Sequence, residues 1–191
     1  MLFGTKYLRT RLSAMMFMQF FVWAAWWVAV ATYGVKGLMF SGTQGAMLMG
    51  TTALGAIFAP LFVGPVADRL FPTQWVLCFL HVVGGLALVT AGFQSHFQWL
   101  YACLLVNTFS FMPTLALANS LTFRNIDNPD KFPRIMVFGT IGWICASLVV
   151  GVVLGETNPW LFFVAGAMEL VLAGYCFTLP HTPPKKGEAA K

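Results

Sequence analysis

Six apolar runs of nearly equal length follow one another along this chain, and that repetition limits its fold more than any motif in it. They extend over about Leu12–Tyr33, Gln44–Gly64, Gln74–Phe93, Trp99–Phe123, Ile135–Leu154 and Trp160–Leu179. Each is close to the ~20 apolar residues that cross a hydrocarbon layer as an α-helix. In such a layer only helices and closed barrels satisfy every backbone group, and runs this long suit helices. The expectation is an all-α membrane protein with six transmembrane helices, residues 1–180, and a polar tail, residues 181–191. The first run lacks a small-residue cleavage site behind it, so it reads as a span and not as a removable signal.

Composition agrees. Only 9% of the 191 residues are charged and 59% are hydrophobic. A water-soluble domain carries about a quarter charged residues to hydrate its surface. The 19 Phe and 7 Trp suit helix interfaces and headgroup belts. The net charge of +5 comes from residues scattered between apolar runs, not from a basic patch interleaved with aromatics, so a nucleic-acid partner is not indicated.

Those cations set an orientation. Lys6, Arg9, Arg11, Arg69, Arg124, Lys131, Arg134, Lys185, Lys186 and Lys191 fall on one side of a six-span chain, and Lys36 alone falls on the other. Basic loops stay cytoplasmic. Both ends of the chain are therefore expected in the cytoplasm, with the bundle in the cytoplasmic (inner) membrane. The breaks carry helix punctuation: Ser41-Gly42-Thr43 before the second helix, Phe71-Pro72-Thr73 before the third, Asn158-Pro159 before the sixth.

Within the spans, Ala46 with Gly50, Gly151 with Gly155, and Gly139 with Gly142 are small pairs at spacings that let two helices approach closely. Cys78, Cys103, Cys145 and Cys176 lie in separate apolar runs. No CxxC or Cys/His spacing links them, so they read as packing residues, with no metal, disulfide framework or cofactor indicated.

Polar groups in hydrocarbon must be paired or face water, which makes each a candidate marker of a transport path. On the first helix, Gln19, Trp23 and Trp26 share a face; on the fourth, Asn107, Ser110 and Thr114; on the fifth, Met136, Thr140, Trp143 and Ser147. Three helices thus each present hydrogen-bonding groups, two of them beside indoles, as suits a ligand with a flat ring and several hydroxyls or carbonyls. The plainer alternative is that these groups bond only to neighbouring helices.

His81 on the third helix and Glu169 on the sixth are ionisable at mid-span. Either relays protons or is a neutral group bonded within the bundle; a carboxyl at that depth must hold its proton, face a polar cavity or approach a membrane surface. Asp68 and Arg69 close the second helix, where a carboxylate caps a facing helix's positive end and serves as a conformational latch. No paired carboxylates, HExxH, Ser/His pair or metal spacing occurs at membrane depth, so an intramembrane enzyme ranks last.

The string Gly64-Pro-Val-Ala-Asp-Arg69 resembles the loop motif between helices two and three of the major facilitator superfamily. Phe109-Ser-Phe-Met-Pro-Thr-Leu-Ala-Leu-Ala-Asn119, Phe138-Gly-Thr-Ile-Gly-Trp143 and Thr178-Leu-Pro-His181 are similar to its nucleoside:proton symporter family, as are Gln19-Phe20 with Trp23, and His81. The resemblance implies a twelve-helix carrier of two six-helix bundles, of which this chain matches the first. Nucleoside would bind between the bundles and enter with protons by alternating access. It implies further that Thr140 supplies a hydrogen-bonding hydroxyl and Trp143 a stacking surface. The family's pattern has Arg where this chain has Met136, and a small or neutral residue where it has Glu169. Arg134 lies about 200° around the helix from Met136 and does not substitute for that Arg. Two other readings stay open: a relative carrying another sugar-containing or aromatic solute, and a non-transporting six-helix membrane subunit.

Overall fold

The computed structural model describes residues 7–69 and 71–183; the side chains of Pro60 and of residues 64–69 lie outside that description. Among the described residues, six helices are long and apolar enough to cross a membrane. Helix α1 (Leu8–Trp27) continues through a short turn at Val30–Thr32 into a π-helical turn at Tyr33–Gly37. Helix α2 spans Gly42–Arg69, α3 Thr73–Ala91 and α4 Phe97–Asn125. Helix α5 (Phe132–Leu148) is prolonged by a π-helix, Val149–Leu154, and α6 is Trp160–Tyr175. The helices match the expected runs and outrun most of their ends, because flanking polar residues keep helical geometry past the apolar stretch.

The starts follow local chemistry. Ser41 and Gln44 form a capping box before α2: the Gln44 amide donates to Ser41 Oγ at 3.2 Å, and the Ser41 amide to Gln44 Oε1 at 2.9 Å. Asn158 Oδ1 accepts the Trp160 amide at 3.1 Å before α6. At Gly155 the chain leaves the π-helix at φ 82°, where a side chain would be strained. Pro113 sits inside α4, and the helix runs on regardless, as membrane helices allow.

The helices pack in an arc, α5–α1–α6–α3–α4–α2, and the last turns of α1 reach α2. Trp26, Phe111, Leu100, Leu104 and Phe162 fill one core; Leu12, Met15, Met16, Leu77, Leu121 and Leu172 fill another, nearer the end where Arg9, Arg11 and Arg124 lie. Of the most apolar window of each span, 24% is buried in α2 and 22% in α5, against 44–56% in the other four. Ile57, Leu61, Phe62, Ile144, Val152 and Val153 are exposed on those two helices, as a hydrocarbon surround or a further protein surface would accept.

Lipid supplies little drive for apolar helices to associate, so close backbone approach carries much of the packing. At Gly142 an added methyl would collide with the Phe17 carbonyl of α1, and at Gly139 it would lie 2.8 Å from the Phe20 ring. That pair behaves as expected. The other two do not: nothing lies within 4 Å of a methyl placed on Gly50, Gly151 or Gly155, and Ala46 is exposed. Their faces point out of the arc, where no described helix follows. The contact they were expected to make occurs instead between α3 and α6, where the added methyl of Gly85 would sit 3.1 Å from the Gly166 carbonyl and that of Gly166 2.9 Å from the Gly85 carbonyl.

The first residues after Leu179 are tied to the bundle. Thr73 donates its amide to the Thr182 carbonyl at 3.0 Å, and Thr182 donates its own to Gln74 Oε1 at 3.0 Å. Asn125 Nδ2 donates to Thr182 Oγ1 at 3.0 Å, and Arg124 Nη2 to the Pro183 carbonyl at 2.6 Å. Gln74 Nε2 and His181 Nδ1 are 2.6 Å apart. Polar groups at the ends of α3 and α4, left over by their own helices, thus hold the strand leaving α6.

Candidate functional site

The expected polar residues separate into two groups. The first lies where α1 crosses α5. Because Gly139 and Gly142 let the helices touch, Trp143 on α5 meets α1 directly: its ring stands edge-on to Trp23 at 5.3 Å between centroids, and 6.0 Å from Trp27. Thr140, one turn earlier on α5, is exposed, and Met136, a turn earlier again, is half-buried against the Leu12–Met16 core. Ser147 turns its hydroxyl back to the Trp143 carbonyl at 2.9 Å. On the same α1–α5 surface a half-open groove of about 540 Å³ is lined by Arg9, Ser13, Phe17 and Phe138.

Gln19 sits behind this surface, fully buried. Its Nε2 donates to Thr114 Oγ1 at 2.5 Å, and Thr114 donates to the Phe111 carbonyl at 2.5 Å, joining α1 to α4. Gln19 Oε1 and the Nε1 atoms of Trp23 and Trp27 have no hydrogen-bond partner. Unpaired polar atoms of this kind are scarce in folded proteins, and each calls for a partner such as water or a ligand; Trp26 Nε1, in the core, is another. The crossing therefore brings together an exposed hydroxyl, a cluster of edge-on and tilted indoles, and unsatisfied amide and indole groups on one side of the bundle.

Trp27 was not singled out by its spacing from Gln19, and Trp26 was. In the structure Trp26 is wholly buried in the core and Trp27 takes the place beside Trp143. The signal for Trp27 existed, four residues after Trp23, but it lies on the other edge of the same helical stripe.

The second group lies between α3, α4 and α6 and is sealed. Asn107 does not share a surface with Thr114 and Ser110. Its Nδ2 donates to Glu169 Oε2 at 3.0 Å and lies 3.3 Å from the Gly84 carbonyl. His81 Nδ1 is 3.4 Å from Glu169 Oε1. All three side chains are buried, at 0% exposure for Asn107 and Glu169 and 1% for His81. Gly84 makes room: a methyl there would run into the Glu169 carboxyl. His81 Nε2 and Asn107 Oδ1 are left without partners. Ser110 bonds its own helix, donating to the Val106 carbonyl at 2.9 Å.

Asp68 and Arg69 end α2, and their side chains lie outside the described residues. No group of three or more His, Cys, Asp or Glu residues suited to a metal occurs among the described residues.

The sequence profile of a family described as nucleoside H+ symporter matches residues 7–191. YegT, an Escherichia coli (strain K12) relative named for nucleoside transport, is 38% identical over 184 residues, which cover 92% of this chain and 43% of YegT. The xanthosine permease of the same organism is 31% identical over 184 residues, covering 94% and 44%. The crystal structure of the nucleoside transporter NupG superposes with a TM-score of 0.89 at 29% identity, covering 96% of this chain and 47% of that one. The chain thus spans about half the length of the relatives it matches.

Proposed function

Since the chain belongs to the nucleoside H+ symporter family, we propose that it forms the amino-terminal bundle of a carrier that takes up nucleosides with protons by alternating access. Residues 1–180 form the bundle and 181–191 begin the link to a second six-helix bundle. The observation that carries this reading is the α1–α5 crossing, where indoles and an exposed hydroxyl sit on the side of the arc that ends in the little-buried α5. A nucleoside presents a flat base and a sugar with hydroxyls. Trp143 and Trp23 offer aromatic faces and edges to the base. Thr140 offers one hydroxyl, and Gln19, held by Thr114, backs the indoles from beneath the surface with its Oε1 unpaired. Met136 places an apolar side chain on the same helix face, so recognition there rests on stacking and neutral hydrogen bonds. Ser110 and Asn107 act behind the surface, by shaping α4. Alternating access moves one bundle against the other around such a site, with Asp68 and Arg69 as the latch at the end of α2.

Both ends of the chain are assigned to the cytoplasm, because ten of the eleven cations fall on that side. Uptake of labelled uridine by cells expressing the complete carrier tests substrate and coupling together. Accumulation that collapses with a protonophore is the expected result. Accumulation indifferent to the proton gradient removes the symport reading.

A further inference from the structure

The sealed cluster differs from an ordinary helix-bridging hydrogen bond in a way that points to a ligand. A buried network built only to hold helices together is expected to be saturated, since each unpaired polar atom in a dry interior costs free energy. Here two side chains that are at least 99% buried each keep one polar atom unpaired, His81 Nε2 and Asn107 Oδ1, around a carboxyl whose partners are His81 and Asn107 alone. Among the described residues, no Lys or Arg pairs with Glu169. Arg9 and Arg11 lie in the first turn of α1 and Arg124 in the last turn of α4. Tyr175, six residues beyond Glu169, is the residue that reaches the Arg11 carbonyl, at 3.2 Å, about 9 Å further along the helix. The remaining titratable groups of the helices packed around the cluster are thiols and phenols: Cys78 on α3, Tyr101 and Cys103 on α4, Tyr175 on α6 and Cys176 just beyond it.

Charge neutrality therefore falls to the pair itself. A carboxylic acid beside a neutral imidazole and a carboxylate beside an imidazolium are both net neutral, and both hold one exchangeable proton. The unpaired Nε2 distinguishes them. An imidazolium would bury an N–H of a charged ring with no acceptor, whereas the neutral ring leaves only a neutral group unpaired. The favoured arrangement is the acid donating Oε1–H to His81 Nδ1, with Asn107 Nδ2 donating to Oε2. Loss of that proton to water would leave a carboxylate held by Asn107 alone inside the bundle, so the proton stays while α3, α4 and α6 are closed around it.

We propose that Glu169, His81 and Asn107 form a proton-binding site inside this bundle, separate from the α1–α5 substrate face, whose proton exchanges with water only when α3 and α6 part during the carrier's cycle. The inference deepens the symport reading and rests on it. Glu169→Gln keeps the size of the side chain and its polar partners while removing the exchangeable proton. In the complete carrier reconstituted in liposomes, the variant is expected to move one proton fewer per nucleoside, read from the reversal potential, and to lose a limb of the uptake–pH profile. Nucleoside affinity should stay within about twofold, because the substrate face keeps its own hydrogen bonds. An unchanged proton ratio and pH profile overturn the proposal.

Infrared spectra of carrier carrying labelled glutamate give a second measurement that survives a poorly folding variant. The wild type should show a buried carboxylic-acid band that diminishes during nucleoside turnover. A band that is missing, or that ignores turnover, overturns the site. Wild-type carrier that moves nucleoside without protons removes the symport reading instead, an outcome read without any variant.

Discussion

The α1–α5 crossing and the Glu169 cluster both hold polar groups at membrane depth, yet one is open and the other sealed. At the crossing, Thr140 is exposed and Trp143 half-buried, and α5 rests mainly on α1 at the edge of the arc. Around Glu169, three helices close completely, and even a methyl on Gly84 has no space. A hydroxyl or amide in a membrane helix does not announce its task; its neighbours decide whether it meets a solute or another side chain. The open region suits binding that must be reversible, and the sealed one suits a group whose charge state must be protected.

This contrast breaks most readily at the sealed site. Glu169→Ala leaves His81 and Asn107 without their shared partner and opens a cavity, and should cost about 3 kcal/mol of stability. Thermal unfolding of purified carrier reads it, and a loss no larger than that of Glu169→Gln would mean that the cluster is not closed. Gly84→Ala comes next: its methyl meets the carboxyl, at about 2 kcal/mol. If its melting temperature matched that of Gly174→Ala, where nothing lies within 4 Å, the close fit would be disproved.

On the open side the effects should appear more in binding than in stability. Trp143→Ala removes an aromatic surface and should weaken nucleoside binding about tenfold, close to 1.4 kcal/mol, with a smaller change in melting than Glu169→Ala. Equilibrium binding and melting on one preparation separate the two; a large melting shift with intact affinity would turn Trp143 into a packing residue. The smallest effect is expected for Thr140→Val, which loses one neutral hydrogen bond, about 1 kcal/mol or roughly fivefold in affinity. Equal affinity would take Thr140 off the substrate face.

Much of the fold was legible because its rule is one-dimensional: an apolar run of the right length becomes a helix wherever it occurs. The helix starts at Ser41 and Asn158 were local enough to read as well. The partners of the polar residues were not, because each face drawn on a single helix was split by its neighbours. Gln19 and Trp23 are four residues apart, about 40° around α1. That small angle sends one to Thr114 on α4 and the other to Trp143 on α5. Asn107 and Thr114 stand two turns apart on α4, and one bonds α6 while the other bonds α1. Glu169 was legible as an anomaly. Its partners, 62 and 88 residues away, were not. Glycine spacing misled for the same reason, since Gly50 and Gly151 have the pattern of a helix contact but no described helix opposite.

The strand that leaves α6 is fastened by Gln74, Asn125 and Arg124 before it departs, and this resembles the strain relief on a cable. A tug on residues beyond Pro183 reaches the first turn of α3 and the last turn of α4 together, instead of unwinding α6 from its end. The load is shared by helices that also enclose Glu169, instead of falling on the end of α6 alone.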